Sequence, residues 1–133
     1  MSDDLSTQIE DLLKQITGAE EIEPDEDGDW LFEVPAGMLV VHAAADDPAR
    51  VELRAQVTEP VPASDKLAAD VLALNGEAVF SRICLYDGSQ VVVEADLFAA
   101  TLDRATLEIT MDIVGGTMAV IAEDFLAGWQ TAS

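Results

Sequence analysis

The chain is half hydrophobic and still carries a formal net charge of −21, and this combination constrains its fold more than any single motif does. Disordered acidic segments are charged but poor in apolar residues, so they cannot bury enough surface to offset the entropy of ordering. Here the apolar residues make up 50% of the chain and recur among the acids with helix and strand periods. The sequence therefore predicts a folded core coated with carboxylates.

Length and charge bound the class of protein. With 133 residues the chain fits one domain of common size, and we predict a single domain over residues 1–133. Its 27 acidic against 6 basic residues repel phosphates and anionic lipids, so we expect no nucleic-acid and no membrane partner. The acidic N-terminus does not resemble a secretory signal, no apolar run approaches the ~20 residues that span a bilayer, and a single cysteine fits a reducing compartment. We therefore expect a cytoplasmic location and a protein or peptide client of basic or amphipathic character.

The first half of the chain predicts one helix and a strand meander. Apolar residues at helical spacing indicate a helix over 3–17, and seven acids in ten positions make 20–29 a solvated loop. Three short apolar stretches follow, with turn signals at 35–37 and 46–48 between them. Consecutive strands with short connections favour an antiparallel meander. The predicted strands are residues 30–34, 38–45 and 51–57.

The second half predicts a helix, a hairpin and a long final helix. Ser64 is a suitable N-cap for the second helix, which Asn75-Gly76 ends, and Asp87-Gly88 is a hairpin signal between strands 79–86 and 90–95. The final helix covers about 103–125. We predict an α+β fold of order α-β-β-β-α-β-β-α, with a curved five-stranded antiparallel sheet. Helices one and three pack mainly on one face, and helix two lies at an edge or at a dimer interface.

The final helix is apolar on two flanks, which is more than a helix with one face in water requires. Gly115-Gly116 interrupts it. The structural interpretation is a kink or a close contact between helix and sheet. The functional interpretation is a smooth notch where a second subunit or a bound peptide approaches. Because one small sheet cannot cover both flanks, we predict a homodimer.

The chain contains no catalytic signature. The single histidine, His42, lies in an apolar strand without a second ligand at metal spacing, and Cys84 lies mid-strand where a packed thiol is expected. The acidic run 25–29 fails as a calcium loop, because its glycine is fourth rather than sixth and Ala36 stands where the bidentate glutamate belongs. We therefore assign no catalytic residues, metal site or cofactor, and we expect no enzyme.

Several short motifs resemble one family. Leu-Ala-Leu-Asn at 72–75 resembles the end of helix two in the class I type III secretion chaperones and the related YbjN-like domains, and 86–97 resembles their hairpin and following strand. Residues 30–35 with Gly37 fit the first strand and turn of the YbjN-like branch. The element order, the length and the acidic balance are similar as well. The resemblance implies a small cytoplasmic protein, often a homodimer, that holds an extended partner segment against its sheet and helices without turnover.

Two functions remain open from the sequence. The first is a peptide-binding or protein-binding chaperone-like module, since a sheet edge and apolar grooves can accept an extended chain by strand addition. The second is a regulatory or scaffold domain that binds a folded partner, and an enzyme would instead need a buried carboxylate pair in a deep pocket. Alternation places the candidate partner-binding residues opposite the core, unless a second layer of the fold or a dimer partner buries them. These candidates are Leu31, Leu39, Val41 and Val92.

Overall fold

A five-stranded antiparallel sheet forms the framework of the molecule. The computed structural model describes the backbone of residues 2–132 and the side chains of residues 4–132. The predicted α+β class and element order are confirmed. The elements are α1 (Ser2–Thr17), β1 (Trp30–Val34), β2 (Gly37–Ala44), β3 (Arg50–Val57), α2 (Asp65–Glu77), β4 (Arg82–Tyr86), β5 (Gln90–Phe98), a 3₁₀ turn (Ala99–Thr101), α3 (Arg104–Val120), a π-turn (Ile121–Phe125) and α4 (Leu126–Thr131).

The strand order is β1-β2-β3-β5-β4. The first three strands form the predicted meander, and β5 then pairs with β3 so that β4 lies at the edge. Helix α2 connects β3 to β4 and packs against β4. At its end, Asn75 Oδ1 accepts a 3.0 Å hydrogen bond from the backbone N–H of Ile83. Helix two therefore lies at a sheet edge, one of its two predicted positions.

One face of the sheet is covered by α1 and α3, which contact each other and the central strands. Ile9 and Leu13, on the apolar stripe predicted for α1, are completely buried, and so are Leu107 and Val114 on α3. Burying each such side chain contributes about 1.5–3 kcal/mol relative to leaving it in water. The core therefore lies between this face and the two helices. The strand residues that line it most completely are Val41, Val51, Leu53, Ala55 and Val93.

Local signals fix where the elements begin. Ser64 Oγ accepts a 3.0 Å hydrogen bond from the Leu67 N–H at the start of α2. Asp103 and Thr106 form a capping box at the start of α3.

Gly37 lies at the start of β2, where the backbones of β2 and β3 approach closely. A Cβ at this position would lie 1.8 Å from the Gln56 carbonyl oxygen, so the approach requires glycine.

The structure departs from the predicted bounds in the second half. Strand β4 begins at Arg82 rather than at residue 79, because Phe80 adopts a left-handed backbone conformation with φ 59° and turns the chain away. Strand β5 continues to Phe98, since its far side pairs with β3. Helix α3 stays α-helical through Gly115-Gly116, and a Cβ at either glycine would meet nothing within 4 Å. The predicted close contact between helix and sheet is therefore wrong at this point.

The helical stretch Arg104–Thr131 is long and apolar enough to cross a membrane by length and composition. Core helices of soluble proteins meet the same criterion, and here Leu107 and Trp129 are fully buried in the fold. Only 28% of its most apolar window is buried, however. Among the described residues of this stretch, Ile109 and Val120 are the large apolar side chains that remain exposed.

Candidate partner-binding site

An apolar groove lies between the first half of α3 and the end of β5. Its volume is about 290 Å³, and its apolar walls are Leu97 on β5, Ile109 and Ile113 on α3, and Phe80 from the segment before β4. Ile109 is 57% exposed and Phe80 is 84% exposed. Large exposed apolar side chains around a groove mark an interaction surface, particularly in a chain with a strongly negative net charge.

The polar groups beside the groove are already bonded within the chain. Thr110 Oγ1 donates to the Thr106 carbonyl oxygen at 2.7 Å. Asp96 Oδ1 accepts from Arg54 Nη1 at 2.8 Å, and Asp96 Oδ2 accepts from Arg82 at 3.4 Å. The groove therefore offers apolar contacts to a side chain that enters it.

The apolar flank continues along α3 beyond the groove. Ile109, Ile113, Gly116 and Val120 follow at helical spacing, and Val120 is 41% exposed. Val120 lines a second cavity of about 160 Å³ together with Ile83 of β4 and other residues. The second apolar flank noted in the sequence thus becomes a continuous surface facing the edge of the sheet, with the open space at Gly116 in its middle.

The other face of the sheet carries a network of charges centred on Glu94, which is only 5% exposed. Glu94 Oε1 accepts a 2.9 Å hydrogen bond from Arg82 Nε, and Arg54 Nε lies 3.4 Å from Oε2. The Tyr86 hydroxyl donates to the same carboxylate, and Cys84 Sγ lies 3.4 Å from Oε1. A carboxylate buried in this way is stable only because it is paired and hydrogen-bonded.

The contacts within this network shift the pKa values of Glu94, Tyr86 and Cys84. Burial alone raises the pKa of Glu94, but the hydrogen bond from Tyr86 and the charge of Arg54 outweigh it and hold the pKa below its ordinary value. The hydrogen bond to Glu94 raises the pKa of Tyr86 to about 12. Burial, followed by the contact with Glu94, raises the pKa of the Cys84 thiol. The Cys84 thiol therefore stays protonated at neutral pH.

Arginine and acid side chains pair across this charged face. Arg50 contacts Glu52 at 2.9 Å, and Arg54 contacts both Glu52, at 3.7 Å, and Asp96. The face is therefore close to charge balance in a chain whose net charge is −21. Among the described residues, no group of three or more His, Cys, Asp or Glu side chains could hold a metal ion.

His42 has a structural partner. Its Nδ1 lies 2.6 Å from Asp29 Oδ1, which joins the acidic segment 20–29 to β2. Within that segment, Asp25 Oδ1 accepts from the N–H groups of Asp27 and Asp29, both at 2.9 Å. The stretch from 25 to 29 is thus a closed hydrogen-bonded turn.

The structure does not bring the four predicted partner-binding residues together. Leu39 and Val41 are 2% and 0% exposed and belong to the core under the helices, so their assignment opposite the core is wrong. The run 38–45 is apolar at nearly every position, which leaves no alternation to identify the buried face. Leu31 and Val92 do lie on the charged face, but strands β2 and β3 separate them; Leu31 is 47% exposed and Val92 only 7%.

Comparisons with known proteins agree with this architecture. The family model described as "T3SS (YopN, CesT) and YbjN peptide-binding chaperone 1" matches residues 3–129, so the chain belongs to this family of peptide-binding chaperones. The resemblance drawn from the sequence is confirmed. The crystal structure of the ExsC-ExsE complex is similar with a TM-score of 0.71 and 13% identity, over 100% of this chain and 98% of that one. The crystal structure of YbjN from E. coli is similar with a TM-score of 0.72 and 16% identity, over 96% of each chain. No curated protein matches the sequence.

Proposed function

We propose that the protein is a non-catalytic chaperone-like module that holds an extended segment of a protein or peptide partner. The observation that carries this proposal is the apolar groove beside α3, where Phe80 and Ile109 are exposed in a strongly acidic chain. Membership of a peptide-binding chaperone family supports it. So does the shared fold, since one solved structure of that fold is a complex of ExsC with ExsE.

The client of this module is basic or amphipathic. Its apolar side chains enter the groove and supply most of the affinity, because the groove removes them from water. The net charge of −21 attracts basic segments from a distance and so sets the encounter rate. The rate of association therefore falls with added salt, whereas the rate of dissociation changes little.

The chemistry of the charged face supports binding without turnover. Glu94 is held by two arginines and a tyrosine, and the pKa of Cys84 is raised, so neither is poised to act as a base or a nucleophile.

We further propose that the protein works in the cytoplasm as a homodimer. Leu72 on α2 and Val120 on α3, both exposed, provide apolar area for a second copy.

Leu31 remains a candidate contact for a longer client, because it is exposed on the face opposite the helices. The same near-neutral face favours the alternative function, a regulatory or scaffold domain that binds a folded partner. A surface with balanced charges can dock against another folded protein without net repulsion. The two functions therefore differ in the state of the partner that binds.

Affinity capture from the native cytoplasm, with mass spectrometry of what is retained, identifies the client. Binding to the wild type and to Ile109→Asp is then measured for two forms of the client, the folded protein and its unfolded segments. We expect unfolded segments to bind, and Ile109→Asp to weaken them about tenfold or more, equivalent to ~1.4 kcal/mol. Binding of the folded form alone, with Ile109→Asp equal to wild type, would contradict the proposal and support the scaffold function.

A further inference from the structure

The α3 wall of the apolar groove offers hydrogen-bond acceptors to a ligand and no donor. Its polar residues are Thr106 and Thr110. Thr110 Oγ1 donates to the Thr106 carbonyl oxygen at 2.7 Å, and Thr106 Oγ1 donates to the Asp103 carbonyl oxygen at 3.1 Å. A hydroxyl has one hydrogen and two lone pairs, so both oxygens can only accept further bonds. A polar atom that a ligand places against this wall therefore has to be a donor.

Thr110 is the more buried of these two acceptors. It is 7% exposed, whereas Thr106 is exposed. Among the described residues, no group donates a hydrogen bond to Thr110 Oγ1. Ile109 and Ile113 line the groove on the same helix. A donor that reaches an oxygen in apolar surroundings has left water and depends on that one bond, so Thr110 can discriminate between ligands.

The size of the groove suits a side chain with two rings. Its volume is about 290 Å³, and an apolar cavity of about 150 Å³ in a protein accommodates benzene. Phe80 contributes an aromatic ring to the wall and is 84% exposed. Aromatic rings attract one another in offset-stacked and edge-to-face arrangements. The volume and Phe80 therefore favour a bulky aromatic side chain over a small aliphatic one.

Charge complementarity narrows the choice further. The free lone pairs of the α3 wall carry negative partial charge, and the chain has a net charge of −21, so a ligand carboxylate is repelled. A full positive charge is attracted from a distance, but it would lose its hydration beside Leu97, Ile109 and Ile113. A neutral N–H group has the complementary partial charge and loses far less hydration. The complementary side chain is thus neutral, aromatic and a hydrogen-bond donor.

We propose that the groove is a tryptophan pocket, in which the indole ring of a client residue donates its N–H to Thr110 Oγ1. The inference rests on the proposed function and specifies the anchor residue of the client. Indole combines two fused rings with a donor and no acceptor, as the groove requires. Thr110 is then the residue that determines specificity, because phenylalanine would fill less of the groove and would leave this oxygen without a donor.

The probe is a capped pentapeptide with tryptophan at its centre, glycine on each side of it and lysine at both ends. Binding is followed by the NMR signals of labelled isoleucine methyl groups. We expect saturable shifts at Ile109 and Ile113, which line the groove, and none at Ile9, which is buried under α1. The expected Kd is about 1 mM or tighter. The same peptide with arginine at its centre should bind at least about fivefold more weakly.

A double-mutant cycle isolates the proposed hydrogen bond. A second peptide carries benzothienylalanine, whose ring has the shape of indole but a sulfur in place of the N–H group. Thr110→Val keeps the shape of the residue and removes its oxygen. We expect this variant to lower the preference for the tryptophan peptide over the benzothienylalanine peptide about fivefold, the size of one hydrogen bond.

Thr117→Val is the matched control variant. Thr117 Oγ1 also donates to the carbonyl oxygen four residues earlier on α3, that of Ile113, at 2.9 Å, but Thr117 lies outside the groove. The preference for the tryptophan peptide should therefore remain that of the wild type.

Any of three results would overturn the tryptophan pocket. They are absence of shifts at Ile109 and Ile113 up to about 10 mM peptide, tighter binding of the arginine peptide, and a preference that Thr110→Val leaves unchanged. Any of these together with binding of unfolded client segments refutes the tryptophan pocket alone. Failure of those segments to bind refutes the proposed function.

Discussion

Trp129 Nε1 donates a 2.8 Å hydrogen bond to Asp70 Oδ2, which ties α4 to α2 across the C-terminal part of the fold. Lys66 Nζ donates to the same oxygen at 2.7 Å. Trp129 is fully buried, whereas the Lys66 side chain is half exposed. The hydrogen bond from Lys66, followed by that from Trp129, lowers the pKa of Asp70.

Trp129→Phe should destabilise the protein by about 1–3 kcal/mol. The substitution removes the buried indole donor and leaves part of its volume empty. Lys66→Gln is the matched control, because it removes only a partly exposed ion pair and should cost at most about 0.5 kcal/mol. Urea denaturation of both variants measures the difference. Equal losses would mean that the contact between Trp129 and Asp70 contributes nothing of its own.

The lowered pKa of Asp70 predicts how stability depends on pH. A carboxyl with a lower pKa in the folded than in the unfolded state stabilises the fold above its unfolded pKa, and this contribution disappears as the pH falls through the folded-state pKa. The free energy of unfolding should therefore decline below about pH 4. The free energy of unfolding of Asp70→Asn should decline less steeply over the same pH range, as measured by denaturation at a series of pH values. A slope identical to that of the wild type would contradict this role of Asp70.

Glu94→Gln should destabilise the fold by about 1–3 kcal/mol, because a neutral amide replaces the buried charge that Arg82 and Arg54 contact. The control is Glu33→Gln, an exposed glutamate of β1, which should change stability by no more than about 0.5 kcal/mol. Thermal and urea unfolding provide the comparison. A neutral effect of Glu94→Gln would show that the network carries no net stabilisation.

The acidic segment should divide into two groups of residues. Replacing its four glutamates with glutamine should leave stability equal or higher at low salt, because mutual repulsion falls. Asp25→Ala should instead cost about 1 kcal/mol, since Asp25 accepts two backbone hydrogen bonds. Denaturation at low and at moderate salt distinguishes these outcomes, and a clear loss from the first replacement would show that those acids have fixed partners. The glutamates to replace are Glu20, Glu21, Glu23 and Glu26.

The glycines offer a matched pair of substitutions. Gly37→Ala should destabilise by about 3 kcal/mol or more, because its Cβ would overlap the Gln56 carbonyl. Gly116→Ala has open space around the new methyl group and should stabilise the helix by about 0.5–1 kcal/mol. If the notch at Gly116 meets a client or a second copy, the same variant should also weaken that association. A gain in stability with unchanged association would leave the notch without a binding role.

Most elements were predictable from the sequence because local patterns specify them. The stripe of Ile9 and Leu13, the alternation in 51–57 and the cap at Ser64 act over a few residues and survive in the fold. The bounds that failed depend on distant partners. Strand β5 is longer than predicted because β3 pairs with it, and β4 is shorter because Phe80 leaves the strand.

The candidate site was less predictable, for a related reason. In the run 38–45 both faces are apolar, so only the pairing of Trp30 with Val41 decides that Leu39 and Val41 face the helices. The groove combines Leu97, Ile109 and Phe80, which meet only in the folded chain. The sequence did carry one signal for it, the second apolar flank on the final helix.

The central claim, that an extended client lies in the groove beside α3, is tested most directly by photo-cross-linking. A benzoylphenylalanine residue at position 113, inside the groove, is compared with one at position 33, on the exposed opposite face of β1. We expect position 113 to cross-link to one short stretch of the client that is rich in apolar residues, and position 33 to cross-link to that stretch weakly or not at all. Cross-links from position 33 alone, or links from position 113 scattered over the surface of a folded partner, would contradict it.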